Sequence, residues 1–201
     1  MATGNQGKVD EFKRLLADLP VQIVSLKDLD GNFSVHEDGK TFKDNAVKKA
    51  RLAASHFQCI AVADDSGLEV DALDGQPGVY SARFAGLPGD DEANNDKLLQ
   101  LLTHVPREGR TARFRCSIAI ALPEGEIHTT EGVCDGLIAF ERKGSFGFGY
   151  DPLFYVPEYD MTFAELDMEH KNRISHRARA FQKAKAMLEE LIRQSSHMVE
   201  E

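Results

Sequence analysis

An α/β fold built on a mixed β-sheet is what this sequence predicts, and three observations carry the reading. Helical stripes and short apolar runs alternate along the chain without a strict strand–helix–strand rhythm, which argues for a mixed rather than a wholly parallel sheet. Residues 111–122 alternate with period two, placing Ala112, Phe114, Cys116, Ile118, Ile120 and Leu122 on one face. With 201 residues and 42% hydrophobic composition, the chain has material for one large domain or two closely joined lobes.

Taken in order, Val9, Phe12, Leu15, Leu16 and Leu19 recur at helical spacing until Pro20. Val21–Leu26 reads as a short strand and residues 28–40, rich in Asp and Gly, as a loop. Thr41 is positioned to cap the next helix with Asp44 as its acidic partner, and Phe42, Ala46, Val47, Ala50, Ala53 and Phe57 make the inner stripe. Cys59–Ala63 reads as a buried strand ending at Asp64-Asp65-Ser66-Gly67, with Leu68–Val70 resuming it. A Gly- and Pro-containing loop over 74–89 leads to a helix burying Leu98, Leu99, Leu101, Leu102 and Val105. Residues 126–142 read as the antiparallel neighbour of 111–122 across Pro123-Glu124-Gly125. The last helix spans about Ser175 to Arg193 and packs Ala178, Phe181, Ala184, Leu188, Leu191 and Ile192.

Composition removes several function classes. A formal net charge of −9 repels a phosphate polymer, so DNA or RNA is not expected as the main partner. No apolar run approaches the roughly 18 residues of a membrane span, and Met1-Ala2-Thr3-Gly4 shows no basic start or apolar targeting stretch, so a cytoplasmic location is expected. Cys59, Cys116 and Cys134 have no metal-ligand spacing and read as small buried hydrophobes.

Several short motifs carry chemistry. Thr3-Gly4-Asn5-Gln6-Gly7-Lys8 precedes a helix, whose free N–H groups suit an anion, although the segment fails as a P-loop. Asp64-Asp65 follows an apolar run, where carboxylates are costly unless a cation or hydrogen bonds compensate; a Mg2+ site and a hydrogen-bonded turn both answer that requirement. Glu37-Asp38-Gly39 adds carboxylates, and Lys48, Lys49 and Arg51 give the following helix a basic face that solvent alone would also explain. Arg83 lies in Pro77-Gly78-Val79-Tyr80-Ser81-Ala82-Arg83-Phe84-Ala85-Gly86, within reach of a phosphate or serving to pack the loop. In Gly144-Ser145-Phe146-Gly147-Phe148-Gly149-Tyr150-Asp151-Pro152, glycine permits close backbone approach and an exposed ring offers a stacking platform for a base. Ser175-His176-Arg177 opens the final helix, with Lys171 close by; Arg suits the acceptor edge of a purine, while a histidine here also serves as an ordinary cap-region residue.

Together these motifs resemble the Ham1/RdgB family of inosine/xanthosine triphosphate pyrophosphatases. The resemblance runs over nearly the whole chain in the family's order, through Thr3-Gly4-Asn5-x-x-Lys8, Glu37, Thr41-Phe42-x-x-Asn45-Ala46, Ala63-Asp64-Asp65-Ser66-Gly67-Leu68, Pro77-Gly78-Val79-Tyr80-Ser81-Ala82-Arg83, Phe148-Gly149-Tyr150-Asp151-Pro152 and Ser175-His176-Arg177. It implies a single domain over residues 1–201, with a central mixed sheet flanked by helices, two lobes with a cleft between them, and a homodimer. It implies Mg2+-dependent hydrolysis of ITP, dITP and XTP to monophosphate and pyrophosphate, clearing such nucleotides from the pool. It also implies roles: Thr3, Gly4, Asn5, Gln6, Gly7, Lys8 and Lys49 on the triphosphate, Glu37 and Asp65 on Mg2+, and Asp65 as general base. Ser66 would touch substrate, and Phe148, Gly149, Tyr150, Asp151, Lys171, His176 and Arg177 would form the base pocket.

One departure stands out. The family places a short apolar strand before the Thr-x-Asn-x-x-Lys loop, whereas only Met1 and Ala2 precede it here, so Thr3 and Asn5 are expected to lack their anchoring strand. Two other readings are weighed against this one. A Maf-type nucleotide pyrophosphatase would lack the ordered Asp-Asp-Ser-Gly-Leu and Ser-His-Arg motifs, and a non-catalytic nucleotide-binding module would tolerate loss of the metal carboxylates.

Overall fold

A computed structural model describes residues 1–3, 9, 12–14, 16–30, 33–86 and 89–197. Its elements are α1 (Leu26–Leu29), α2 (Phe42–Phe57), β1 (Ala61–Val70), α3 (Asp91–Leu101), β2 (Thr111–Ala121), β3 (Ile127–Ile138), β4 (Phe154–Val156), β5 (Met161–Thr162), α4 (Met168–Ile174) and α5 (His176–His197), with three short 3-10 turns. The strands form one sheet in the order β1-β2-β3-β4-β5, so each lies beside its sequence neighbour. Register fixes the later pairs as antiparallel, Leu137 opposite Tyr155 and Tyr155 opposite Thr162. The β2–β3 connection closes as expected across Pro123-Glu124-Gly125, with Leu122 N–H donating to Glu126 O at 2.9 Å. A central sheet with helices is therefore what the chain adopts.

The chain divides into two compact units, and β1, β2 and β3 each pass from one into the other. The first comprises residues 1–65, 117–131 and 179–201. Its core is largely alanine: Ala46, Ala50, Ala53 and Ala54 of α2 pack with Ala61 and Ala63 of β1, Ala119 and Ala121 of β2, and Ala2. Helix α2 starts where the sequence places it. Thr41 Oγ1 accepts from Asp44 N–H at 3.1 Å while the Asp44 carboxylate accepts from Thr41 N–H at 3.2 Å, a reciprocal cap. Val9 and residues 12–14 are helical, and Phe12 packs on Phe181 of α5 with ring centroids 5.3 Å apart.

The second unit comprises residues 66–116 and 132–178. Its core is rich in aromatics, with Phe84, Phe114, Tyr150, Phe154 and Phe163 joined by Leu68, Leu98, Leu102, Leu153 and Ile138. Phe114 and Phe154 lie 4.5 Å apart between ring centroids, and Phe154 and Phe163 4.9 Å. The buried Arg110 guanidinium closes one edge, donating to the carbonyls of Leu102, Val105 and Ala139.

Four local expectations are corrected, and three short elements had none. Val21–Leu26 forms no strand, because Ser25 caps α1 with Asp28 as reciprocal partner and commits Leu26 onward to a helical turn. The strand expected over Cys59–Ala63 begins at Ala61 and runs unbroken through Asp64-Asp65-Ser66-Gly67 to Val70. Cys59 is exposed, whereas Cys116 and Cys134 are buried. Leu101 is exposed because α3 turns its buried line through Asn94, Asn95 and Leu98. Finally α4, β4 and β5 have no sequence counterpart; they are too short to show a period.

Candidate functional site

In the first unit, Asp65 sits within β1 and its Oδ2 accepts from Asn45 Nδ2 at 2.9 Å. Asn45 is buried on α2, and its other amide atom, Oδ1, accepts from Gly39 N–H at 2.7 Å. One side chain thus ties the strand carrying Asp65 to the loop carrying Glu37 and Asp38. Gly39 is required by this tie, since a Cβ there would lie 2.6 Å from Asn45 Oδ1 and 2.9 Å from Asn45 N. One helical turn on, Lys49 Nζ meets Glu37 Oε1 at 2.9 Å. Asn45 and Lys49 are four residues apart, so they lie on one face of α2. Lys48 pairs instead with Asp38 at 2.6 Å in solvent, and that hydrogen bond holds the Asp38 carboxyl below its ordinary range.

Asp64, next to Asp65, is buried. Among the described residues no cluster of three or more His, Cys, Asp or Glu forms a self-sufficient metal cage. The donors present suit a different mode. Glu37 and Asp65 offer hard carboxylate oxygens, Asp65 bonded to Asn45 and Glu37 to Lys49 of the same helix, and Mg2+ is commonly held by one or two carboxylates with water and substrate phosphate completing its shell. The chemistry of these two donors, hard carboxylate oxygens, is the kind that Mg2+ takes.

Of the expected phosphate loop, Gly4, Asn5, Gln6, Gly7 and Lys8 lie outside the described residues. Thr3 follows two residues that are firmly held. Ala2 N–H donates to Val62 O of β1 at 2.7 Å, the Met1 ammonium donates to Val24 O at 2.6 Å, and Ala2 is buried in the alanine core.

In the second unit, Phe148 presents its ring to solvent at 60% exposure. Lys171 Nζ lies 5.5 Å and Arg177 Cζ 5.3 Å from its ring centroid, within cation–π range. Lys171 also pairs with the buried Asp151, whose Oδ2 accepts from Phe148 N–H at 2.9 Å. Gly147 adopts φ +82°, and a Cβ there would come within 2.1 Å of Asp151 Oδ2, so only glycine lets the loop close on that carboxylate. Arg177 Nη2 reaches Ser66 Oγ at a long 3.4 Å. The structure therefore brings Ser66, Phe148, Asp151, Lys171 and Arg177 together.

His176 and Tyr150 are placed differently. His176 is 7% exposed and stacks on Phe114 at 4.7 Å, and Tyr150 is buried with its hydroxyl donating to Ser81 O at 2.8 Å. Burial, with the Asp91 charge adding to it, pushes the Tyr150 phenol far above its ordinary value, so this hydroxyl stays a donor. Arg83 lies over the Tyr80 ring at 5.1 Å. Sequence reasoning missed Asn45 as a buried polar linker; its signal was an amide inside an otherwise alanine-lined helical stripe.

Relatives sharpen the picture. The model of the Ham1 family matches residues 1–187. A protein of Desulforamulus reducens called dITP/XTP pyrophosphatase is 62% identical over 191 residues, covering 95% of each chain. A Geobacter sulfurreducens protein of the same name is 53% identical over 180 residues, covering 90% of each. Among solved structures, the Staphylococcus aureus Ham1 protein superposes with a TM-score of 0.88 at 44% identity, covering 94% of this chain and 96% of that one. The family model over nearly the whole chain and these relatives show that the chain belongs to the Ham1 family.

Proposed function

We propose that this protein is a Mg2+-dependent nucleoside-triphosphate pyrophosphohydrolase that converts ITP, dITP and XTP to their monophosphates and pyrophosphate. The observation that carries the reading is the exposed Phe148 ring flanked by Lys171 and Arg177, a stacking platform with two hydrogen-bond donors beside it. The name dITP/XTP pyrophosphatase borne by the relatives supports it.

Water is the nucleophile. Its oxygen bonds the α-phosphorus, the bond from that phosphorus to the α–β bridging oxygen breaks, and pyrophosphate leaves with the electron pair. Asp65 orients the water and takes its proton, and Asn45 holds the Asp65 carboxylate through Oδ2 for that task. Glu37 and Asp65 would hold Mg2+, which when bound neutralises charge on the phosphate oxygens. Lys49, Lys8 and Arg83 offset charge on the leaving pyrophosphate. Lys49 is held beside Glu37 until substrate draws it away. Thr3, Gly4, Asn5, Gln6 and Gly7 contact the triphosphate, and Ser66 the substrate beside Asp65.

Base choice follows from donors. Hypoxanthine and xanthine carry a 6-oxo acceptor that Arg177 or Lys171 bonds, whereas adenine presents an amino donor and leaves groups unpaired, a penalty of about 1–3 kcal/mol each. Phe148 stacks on the base, Gly149 and Tyr150 supply backbone to its pocket, and Asp151 and His176 fix its walls. Guanine shares the 6-oxo group, so its exclusion acts at the 2-position. Family resemblance further supports a cytoplasmic homodimer. Among the described residues, no helix is long and apolar enough to cross a membrane.

The test is pyrophosphate release from ITP, XTP, dITP, GTP and ATP, with Mg2+ and with EDTA. Metal-dependent release that is strongest for the first three is expected. Equal release from ATP, or release undiminished by EDTA, overturns the reading.

A further inference from the structure

Helix α3 carries a polar block, Asp91-Glu92-Ala93-Asn94-Asn95-Asp96-Lys97, and buries part of it. Asn94 is 2% and Asn95 1% exposed. Asparagine is a poor helix former, and a buried amide is costly unless bonded, so two adjacent ones need a reason. Helix capping is not that reason, because Asp90 already caps α3 by accepting from Ala93 N–H at 2.9 Å.

The reason lies 54–58 residues along the chain. Gly149 N–H donates to Asp91 Oδ2 at 2.7 Å, and Asn95 Nδ2 donates to Gly149 O at 2.8 Å. Asp91 and Asn95 lie one turn apart on α3, so a single helix face grips both the N–H and the C=O of one residue. That residue sits at φ +61°, directly after Phe148. Nearby ties reinforce the grip: Arg142 donates to Glu92 O and Asp96 Oδ1, and Asn94 Oδ1 accepts from Ala85 N–H.

An exposed ring is not oriented by core packing; its direction is set by its backbone. Asp151 fixes that backbone from within the loop, and Asp91 with Asn95 fixes it from outside. We infer that Asp91 and Asn95 are positioning residues for nucleobase recognition: they hold the Gly149 peptides so that Phe148 meets the base beside Lys171 and Arg177. This inference rests on the pyrophosphohydrolase reading above.

The test compares kcat and KM for ITP and ATP in wild type, Asp91→Ala, Asn95→Leu and Asp91→Asn, with IMP affinity measured by calorimetry. Removing the grip raises KM for ITP and weakens IMP by about tenfold, with kcat changed by less than about threefold, and compresses the ITP-over-ATP preference. Asp91→Asn keeps an acceptor oxygen and restores most of the loss. If Asp91→Ala proves too unstable to assay, Asn95→Asp keeps the volume while setting an acceptor against Gly149 O, and gives the same shift. Variants that melt earlier yet keep wild-type KM, IMP affinity and ITP/ATP ratio overturn the positioning role. A wild type that does not discriminate ITP from ATP overturns the functional reading instead.

Discussion

Around α2 the core is alanine on alanine, whereas around β4 it is phenylalanine on phenylalanine. An alanine buries little apolar area, at roughly 25 cal/mol per Å2, so the first core gains modestly from each residue. What it allows is close approach of helix backbone to strand backbone. A side chain as short as Asn45 can then bridge Asp65 and Gly39. The aromatic core buries far more area per residue and interlocks in ring pairs, a platform on which Phe148 can stand exposed without packing of its own. Small residues are placed where carboxylate geometry must be short and fixed, and large ones where an exposed loop must be carried.

Chemistry separates the units most sharply. Asp65→Asn should lower turnover about 100- to 10,000-fold, the range for loss of a general base, with little change in unfolding midpoint because the amide still accepts from Asn45. Wild-type turnover would end the role assigned to Asp65.

The cores should then respond oppositely to volume. Phe154→Ala removes a fully buried ring and should cost about 3–5 kcal/mol in urea unfolding. Ala50→Leu forces bulk between α2 and its alanine partners and should cost about 1–3 kcal/mol, with activity falling as Asn45 shifts. A smaller loss at Phe154 than at Ala50 would break the comparison of cores.

Phe148→Ala should leave stability within about 0.5 kcal/mol of wild type, since the ring is exposed, while raising KM for ITP about tenfold through lost stacking. Unchanged KM would remove Phe148 from base recognition.

The smallest effect is alkaline. Burial raises the folded-state pKa of Tyr150 above its unfolded value of 10.0, so its contribution is complete below that pH and declines as pH rises beyond it. Tyr150→Phe should therefore flatten the stability curve above pH 10.0, at the expense of the bond to Ser81, and an unchanged slope would contradict the shift.

Much of this was legible because local chemistry is strong. Thr41 and Asp44 make a cap that needs only three residues of spacing, and the alternation from Ala112 to Cys116 is a direct image of one sheet face, whereas Cys116 to Ala121 is buried on both. The motif positions are likewise local strings, and it is the family resemblance they carry that makes Glu37, Asp65, Phe148, Lys171 and Arg177 candidates. The strand through Asp64-Asp65-Ser66-Gly67 was harder, because polar and small residues there read as a turn until β2 supplies a neighbour. Val21–Leu26 misled because β-branched residues carry strand propensity without a partner to pair with.

The sequence by itself determined the α/β class, the Thr41 cap, the central hairpin and the inventory of reactive groups, since each depends on neighbours a few residues apart. Tertiary structure alone decided that Asn45 spans Gly39 and Asp65, that Lys49 rests on Glu37, and that Asp91 and Asn95 grip Gly149. Those bonds join residues up to 58 positions apart, and a hydrogen bond acts only over about 3 Å, so no periodicity along the chain records them.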